Sequence, residues 1–81
     1  MTLTMHVVLT HGGGPQIPTM PLEYDVRGLP PGQTARIRDL MGRERWRVLR
    51  SKDGESGRWL GHHDTAEDAL TELQHQVDAG R

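Results

Sequence analysis

The chain has 81 residues, with ten Lys or Arg against eleven Asp or Glu, a net charge of −1, and 33% hydrophobic residues with no Phe and no Cys. That length allows one small domain, near the lower limit for a single hydrophobic core, with a stability on the order of 3–5 kcal/mol. Disulfides, thiolate metal sites and cysteine nucleophiles are excluded, a deep enzyme pocket is not expected in so thin a body, and a cytoplasmic chain is the simple default.

The near-neutral total conceals a charge dipole. Residues 36–58 hold Arg36, Arg38, Arg43, Arg45, Arg47, Arg50, Lys52 and Arg58 against Asp39, Glu44, Asp53 and Glu55, a local balance of +4. Residues 59–81 carry Asp64, Glu67, Asp68, Glu72 and Asp78 against Arg81, a balance of −4. The opening "MTLTMHVVLT" lacks the basic start, long apolar run and small-residue cleavage site of a signal peptide. No stretch approaches the ~20 apolar residues of a membrane span.

In chain order, "TLTMHVVLT" alternates Leu3, Met5, Val7 and Leu9 against Thr4, His6, Val8 and Thr10, the period of a strand. "HGGGPQIPTMP" follows, and its glycines and prolines read as an irregular linker. The first strand then either docks on the main sheet or stays a loose arm, and the linker composition implies that the remainder folds without residues 1–14. "EYDVRGL" sets Tyr24 and Val26 against Glu23, Asp25 and Arg27, and "PPG" turns the chain. "QTARIRDLM" sets Ala35 and Ile37 against Arg36 and Arg38. After a turn around Gly42, "RWRVLRS" sets Trp46 and Val48 against Arg45, Arg47 and Leu49. "KDGESG" has the composition of a hairpin loop, and "RWLG" is the last strand.

The helix carries the strongest local signals. Thr65 is placed to cap it, with Asp68 three residues on, and Glu67 and Asp68 suit the positive end of its dipole. Ala66, Ala69, Leu70, Leu73 and Val77 form one apolar stripe, and Gly80 is a C-terminal stop. The expected fold is therefore α+β: a three- or four-stranded antiparallel meander packed on one C-terminal α-helix. Its divisions are an N-terminal strand or arm over 1–10, a linker over 11–21, strands over 22–62 and a helix over 65–79.

Three motifs bear on chemistry. "HGGGP" from His11 looks like the oxyanion-hole motif of some esterases, but that motif works beside a serine on a G-x-S-x-G elbow. Ser51 and Ser56 lack the flanking glycines, so the segment reads as a hinge and the chain as no enzyme. "HHD" at 62–64, with His75, offers zinc-type ligands, yet adjacent residues point apart and no H-x-x-x-H spacing supports a shared ion. It reads as a turn with Asp64 or Thr65 capping the helix, without metal or cofactor, and no small-molecule substrate is evident.

The third motif is the basic face formed if Arg36, Arg38, Arg45 and Arg47 project from one side of the sheet. It is either a phosphate-contacting surface or a solvated face whose guanidiniums pair with Asp39, Glu44 and Glu23. Trp46 shares the parity of Val48 and belongs to the core. Trp59 and Leu60 have opposite parity, so one faces the helix and the other lies on the open face.

"RWLGHHDTAEDAL" resembles the strand-to-helix joint of the plant ethylene-response-factor DNA-binding domain. There a Trp-Leu-Gly triplet precedes an Asp/Glu-Thr-Ala-Glu helix start. The arm-type DNA-binding domains of tyrosine integrases look similar, with three antiparallel strands on one C-terminal helix. The close match covers residues 59–69, with a looser one from Trp46. It implies a DNA-facing Trp59, a core Leu60, a capping Thr65 and a packing Ala69, with the open sheet face laid in the major groove. Two departures stand out: "YDVRGL" is acidic where the plant family has an arginine-rich first strand, and Leu49 replaces a polar contact residue. The expected function is a small non-catalytic module that binds double-stranded DNA through Arg36, Arg38, Arg45, Arg47 and Trp59, away from membranes. The alternative is a protein-binding accessory or inhibitor module, phage- or plasmid-borne, acting through the sheet face or an edge strand.

Overall fold

A computed structural model describes residues 2–11, 20–41, 45–53 and 57–80, with positions 11, 20, 58 and 60 described through the backbone. Among these residues five strands and one helix follow one another: β1 Thr4–His11, β2 Met20–Arg27, β3 Gln33–Asp39, β4 Trp46–Lys52, β5 Arg58–His63 and α1 Ala66–Asp78. The strands form one antiparallel sheet in the order β1-β2-β3-β4-β5, so each pairs with its chain neighbour. The fold is α+β, with five strands rather than three or four.

The additional strand comes from the N-terminal segment. β1 pairs with β2 from Thr4↔Arg27 to His11↔Met20, with register shifts around Val8 and Leu9. Leu3, immediately before β1, is 3% exposed and belongs to the core, and its N–H donates to Gln74 Oε1 on α1 at 2.7 Å. A loose arm would leave Leu3 and one face of Val26 in water, so burial of these side chains draws the segment onto the sheet. The linker reading at 11–21 is narrowed at both ends, because His11, Met20 and Pro21 lie in strands; its interior falls outside the described residues. So do the interior of the "KDGESG" loop and the turn at Gly42.

Between β2 and β3, Gly28 at φ +97° lies against the chain start. A Cβ there would stand 2.7 Å from the Thr2 carbonyl oxygen, a clash only glycine avoids.

Alternation sorts the sheet into two faces. Ala35, Ile37, Trp46 and Val48 are buried on the helix side, with Val26 from β2. α1 lies over β3, β4 and β5 and closes this layer with Ala66, Ala69 and Leu73; Tyr24, Leu70 and Val77 pack at its margin. Tyr24 and Trp46 meet at 5.8 Å between ring centroids, tilted by 45°. The helix begins where Thr65 Oγ1 accepts the Asp68 N–H at 3.0 Å and ends at Ala79. With the helix on one side only, the opposite face of the sheet is left open among the described residues.

Candidate functional site

The open face is built from the residues that alternate away from α1. β2 contributes Glu23 and Asp25, β3 contributes Arg36 and Arg38, β4 contributes Arg47 and Leu49, and β5 contributes Trp59. Trp59 stands opposite Leu49, and Leu60 opposite the buried Val48. Trp59 thus occupies the open face, where it is 39% exposed.

Three of the four arginines grouped by sequence lie together here, and each has a different environment. Glu23 faces Arg38 and Asp25 faces Arg36 across the β2–β3 pairing. Glu23 Oε2 accepts from Arg36 Nη1 and Glu23 Oε1 from Arg38 Nε, each at 2.9 Å, while Arg36 Nε lies 3.5 Å from Asp25 Oδ1. Arg27 also approaches Asp25, at 3.6 Å. Both β3 guanidiniums are therefore ion-paired with the acidic strand beside them.

Arg45 does not join the row. It precedes β4, and its Nε and Nη2 lie 2.7 and 2.6 Å from Asp39 Oδ2. Asp39 points to the helix side of β3, where its carboxylate is fully buried. The guanidinium beside it holds the Asp39 carboxyl below the usual range against the opposing effect of burial, and Asp39 in turn raises Arg45. A buried carboxylate next to a flexible cation captures it, so Arg45 is a structural partner rather than a member of the ladder.

Arg47 lies at the centre of the face, directly opposite Arg38. Like charges in that relation repel. The geometry separates them: Arg38 is drawn to Glu23 on one side, and Arg47 leans the other way, its guanidinium carbon 5.3 Å from the Trp59 ring centroid. Among the described residues Arg47 forms no ion pair, and its Nε is buried without a hydrogen-bond partner. Leu49 lies beside this pair and over Gly57, whose added Cβ would stand 2.7 Å from Leu49 Cδ1. Gly57 thus leaves room for an apolar floor next to Trp59.

Two placements, one behind the site and one within it, are not evident from local sequence. Arg50 has the parity of Trp46 and Val48 and is buried on the helix side, with Nη2 donating to Gln33 Oε1 at 2.7 Å. Its alternation signal is present in "WRVLR", but an arginine is rarely assigned to an interior. The double engagement of Glu23 depends on the pairing of β2 with β3, which no local pattern encodes. Among the described residues no group of three or more His, Cys, Asp or Glu side chains could hold a metal ion, and no helix is long and apolar enough to cross a membrane.

No protein family, curated protein or solved structure with which the chain was compared matches it.

Proposed function

We propose that the protein is a small, non-catalytic module that binds double-stranded DNA through the open face of its sheet. The observation that carries this reading is Arg47. It is a cation without a carboxylate partner among the described residues, stacked on a partly exposed tryptophan at the centre of a face the helix leaves uncovered. Arginine and tryptophan together offer a phosphate contact and an aromatic surface for sugar or base. Arg36 and Arg38 flank this centre, and Arg45 serves as a structural strut behind it. The resemblance of residues 59–69 to sheet-reading DNA-binding domains supports the same face, and the acidic helix side points away from the duplex. In this reading the module works in the cytoplasm.

Labelled random-sequence duplex titrated at low salt tests the proposal. Binding should weaken as salt rises, because each neutralised phosphate releases condensed counterions. With about three phosphate contacts, log K against log salt should fall with a slope near −3, and Arg47→Ala should reduce that slope by about one. Absence of binding at ~100 μM protein would refute the reading, since non-specific binders typically reach Kd values of roughly 10⁻⁴ M or tighter.

One observation favours a second reading, a protein-binding accessory module. The edge strand β1 carries no Lys, Arg, Asp or Glu and exposes Val7, Val8 and Leu9. An uncharged edge with apolar side chains is suited to accept a partner strand. A partner captured through β1 would survive nuclease treatment and would be lost in a Val8→Lys variant.

A further inference from the structure

The open face holds a carboxylate where a polyanion-binding surface should least tolerate one. Glu23 is only 14% exposed at its side chain, and it touches two guanidiniums that are themselves 47% and 49% exposed. Its two oxygens are divided between them, Oε2 to Arg36 and Oε1 to Arg38, at equal distances of 2.9 Å.

Resting on the DNA reading of this face, we infer that Glu23 is a positioning residue that aims Arg36 and Arg38 at two successive phosphates of one nucleic-acid strand. Each arginine commits one of its five N–H donors to Glu23, leaving the outer part of each guanidinium to meet a phosphate. Arg36 and Arg38 are two residues apart on one strand, so their backbones are spaced by about 6.7 Å. That spacing is comparable to the step between neighbouring phosphates along a nucleic-acid backbone. Arginine side chains carry much rotamer freedom, and fixing them on binding has a cost that a preformed carboxylate contact removes in advance. Asp25 assists on the Arg36 side, where its Oδ1 lies 3.5 Å from Nε.

The opposing view is that Glu23 only neutralises the sheet and repels phosphate. The two views differ in sign. Removing a competing negative charge should tighten duplex binding and steepen its salt dependence. Removing a positioning group should weaken binding and flatten that dependence, because the two arginines then reach phosphate less completely.

The experiment compares the full chain with Glu23→Ala, Glu23→Gln and Arg47→Ala, titrating labelled random-sequence duplex across a range of salt. Thermal melts and the Arg38 Nε–H resonance are followed alongside. Positioning predicts that Glu23→Ala lowers affinity at low salt by about 3- to 10-fold. It should also reduce the salt slope by up to ~1.8, at about 0.9 for each phosphate that is no longer neutralised. Glu23→Gln retains one acceptor oxygen and should show the smaller part of both effects, so it decides the matter if the alanine variant unfolds. The Arg38 Nε–H donates to Glu23 Oε1 in the parent, so its signal should exchange faster in Glu23→Ala than in the parent, a change that a lowered melting temperature alone would not produce. Equal or tighter binding by a folded Glu23 variant, with Arg47→Ala still weakened, overturns the positioning role and leaves the DNA reading standing. No binding by the parent chain overturns both.

Discussion

Arg45 closes onto Asp39 across the connection between β3 and β4, its Nη2 2.6 Å from the fully buried Oδ2. The other oxygen, Oδ1, accepts the Met41 N–H at 2.8 Å, and the Leu40 N–H donates to the Arg45 carbonyl at 2.8 Å. One carboxylate therefore ties together both sides of the hairpin end. Because the ionised form is the one held, the Asp39 carboxyl sits below its ordinary value. The stability it contributes is fully present above the unfolded-state value of about 3.9 and is lost as pH falls through the lower folded-state value. Denaturant unfolding measured from pH 6 downward should show a decline beginning near pH 4. Asp39→Asn should lower stability at pH 6 and make this part of the acid dependence shallower. An unchanged acid profile in that variant would show that the pair carries no linkage.

Burial separates two leucines that share the helical stripe. Leu73 is fully enclosed between α1 and the sheet, whereas Leu70 lies at the margin. Leu73→Ala should cost about 2–5 kcal/mol, enough to unfold much of so small a domain, and Leu70→Ala distinctly less. Urea titrations of both variants check the order; equal losses would mean the helix is rotated from its observed seat.

The first strand should be needed for folding. Leu3 fills the core and its amide reaches Gln74, so Leu3→Ala should cost about 2–5 kcal/mol. Deleting residues 1–11 would also strip β2 of its outer neighbour, and the shortened chain should lose cooperative unfolding. A sharp thermal transition in that chain would place β1 outside the folding unit.

Met41 offers the reverse case, a substitution that should stabilise. It holds φ +56° while 64% exposed, so it carries left-handed strain and little packing in return. Relief of about 1–2 kcal/mol, offset by roughly 0.4–1 kcal/mol of added freedom in the unfolded chain, leaves Met41→Gly between about 0 and 1.6 kcal/mol more stable than the parent. Chemical denaturation measures the difference, and a loss of stability would show that the Met41 side chain makes an interaction the folded chain needs.

The elements legible in the sequence are those whose cause is local. Alternation in "TARIRD" and "WRVL" separates Ile37 and Val48 from Arg36, Arg38 and Arg47, because successive side chains on a strand point to opposite faces. Thr65 and the stripe ending at Val77 likewise mark the helix through cap and period alone. What lies across a strand boundary follows from the assembled sheet instead. Glu23 takes Arg36 and Arg38 because β2 pairs with β3, and Arg45 leaves the basic row because a buried Asp39 six residues earlier draws it in. Arg47 turns to Trp59 because its own cross-strand neighbour is another arginine. The N-terminal strand joins the sheet because the core has room for Leu3 under α1, a fact about volume between distant segments that no run of adjacent residues records. Charge is written residue by residue, but which charges are left unpaired is a property of register.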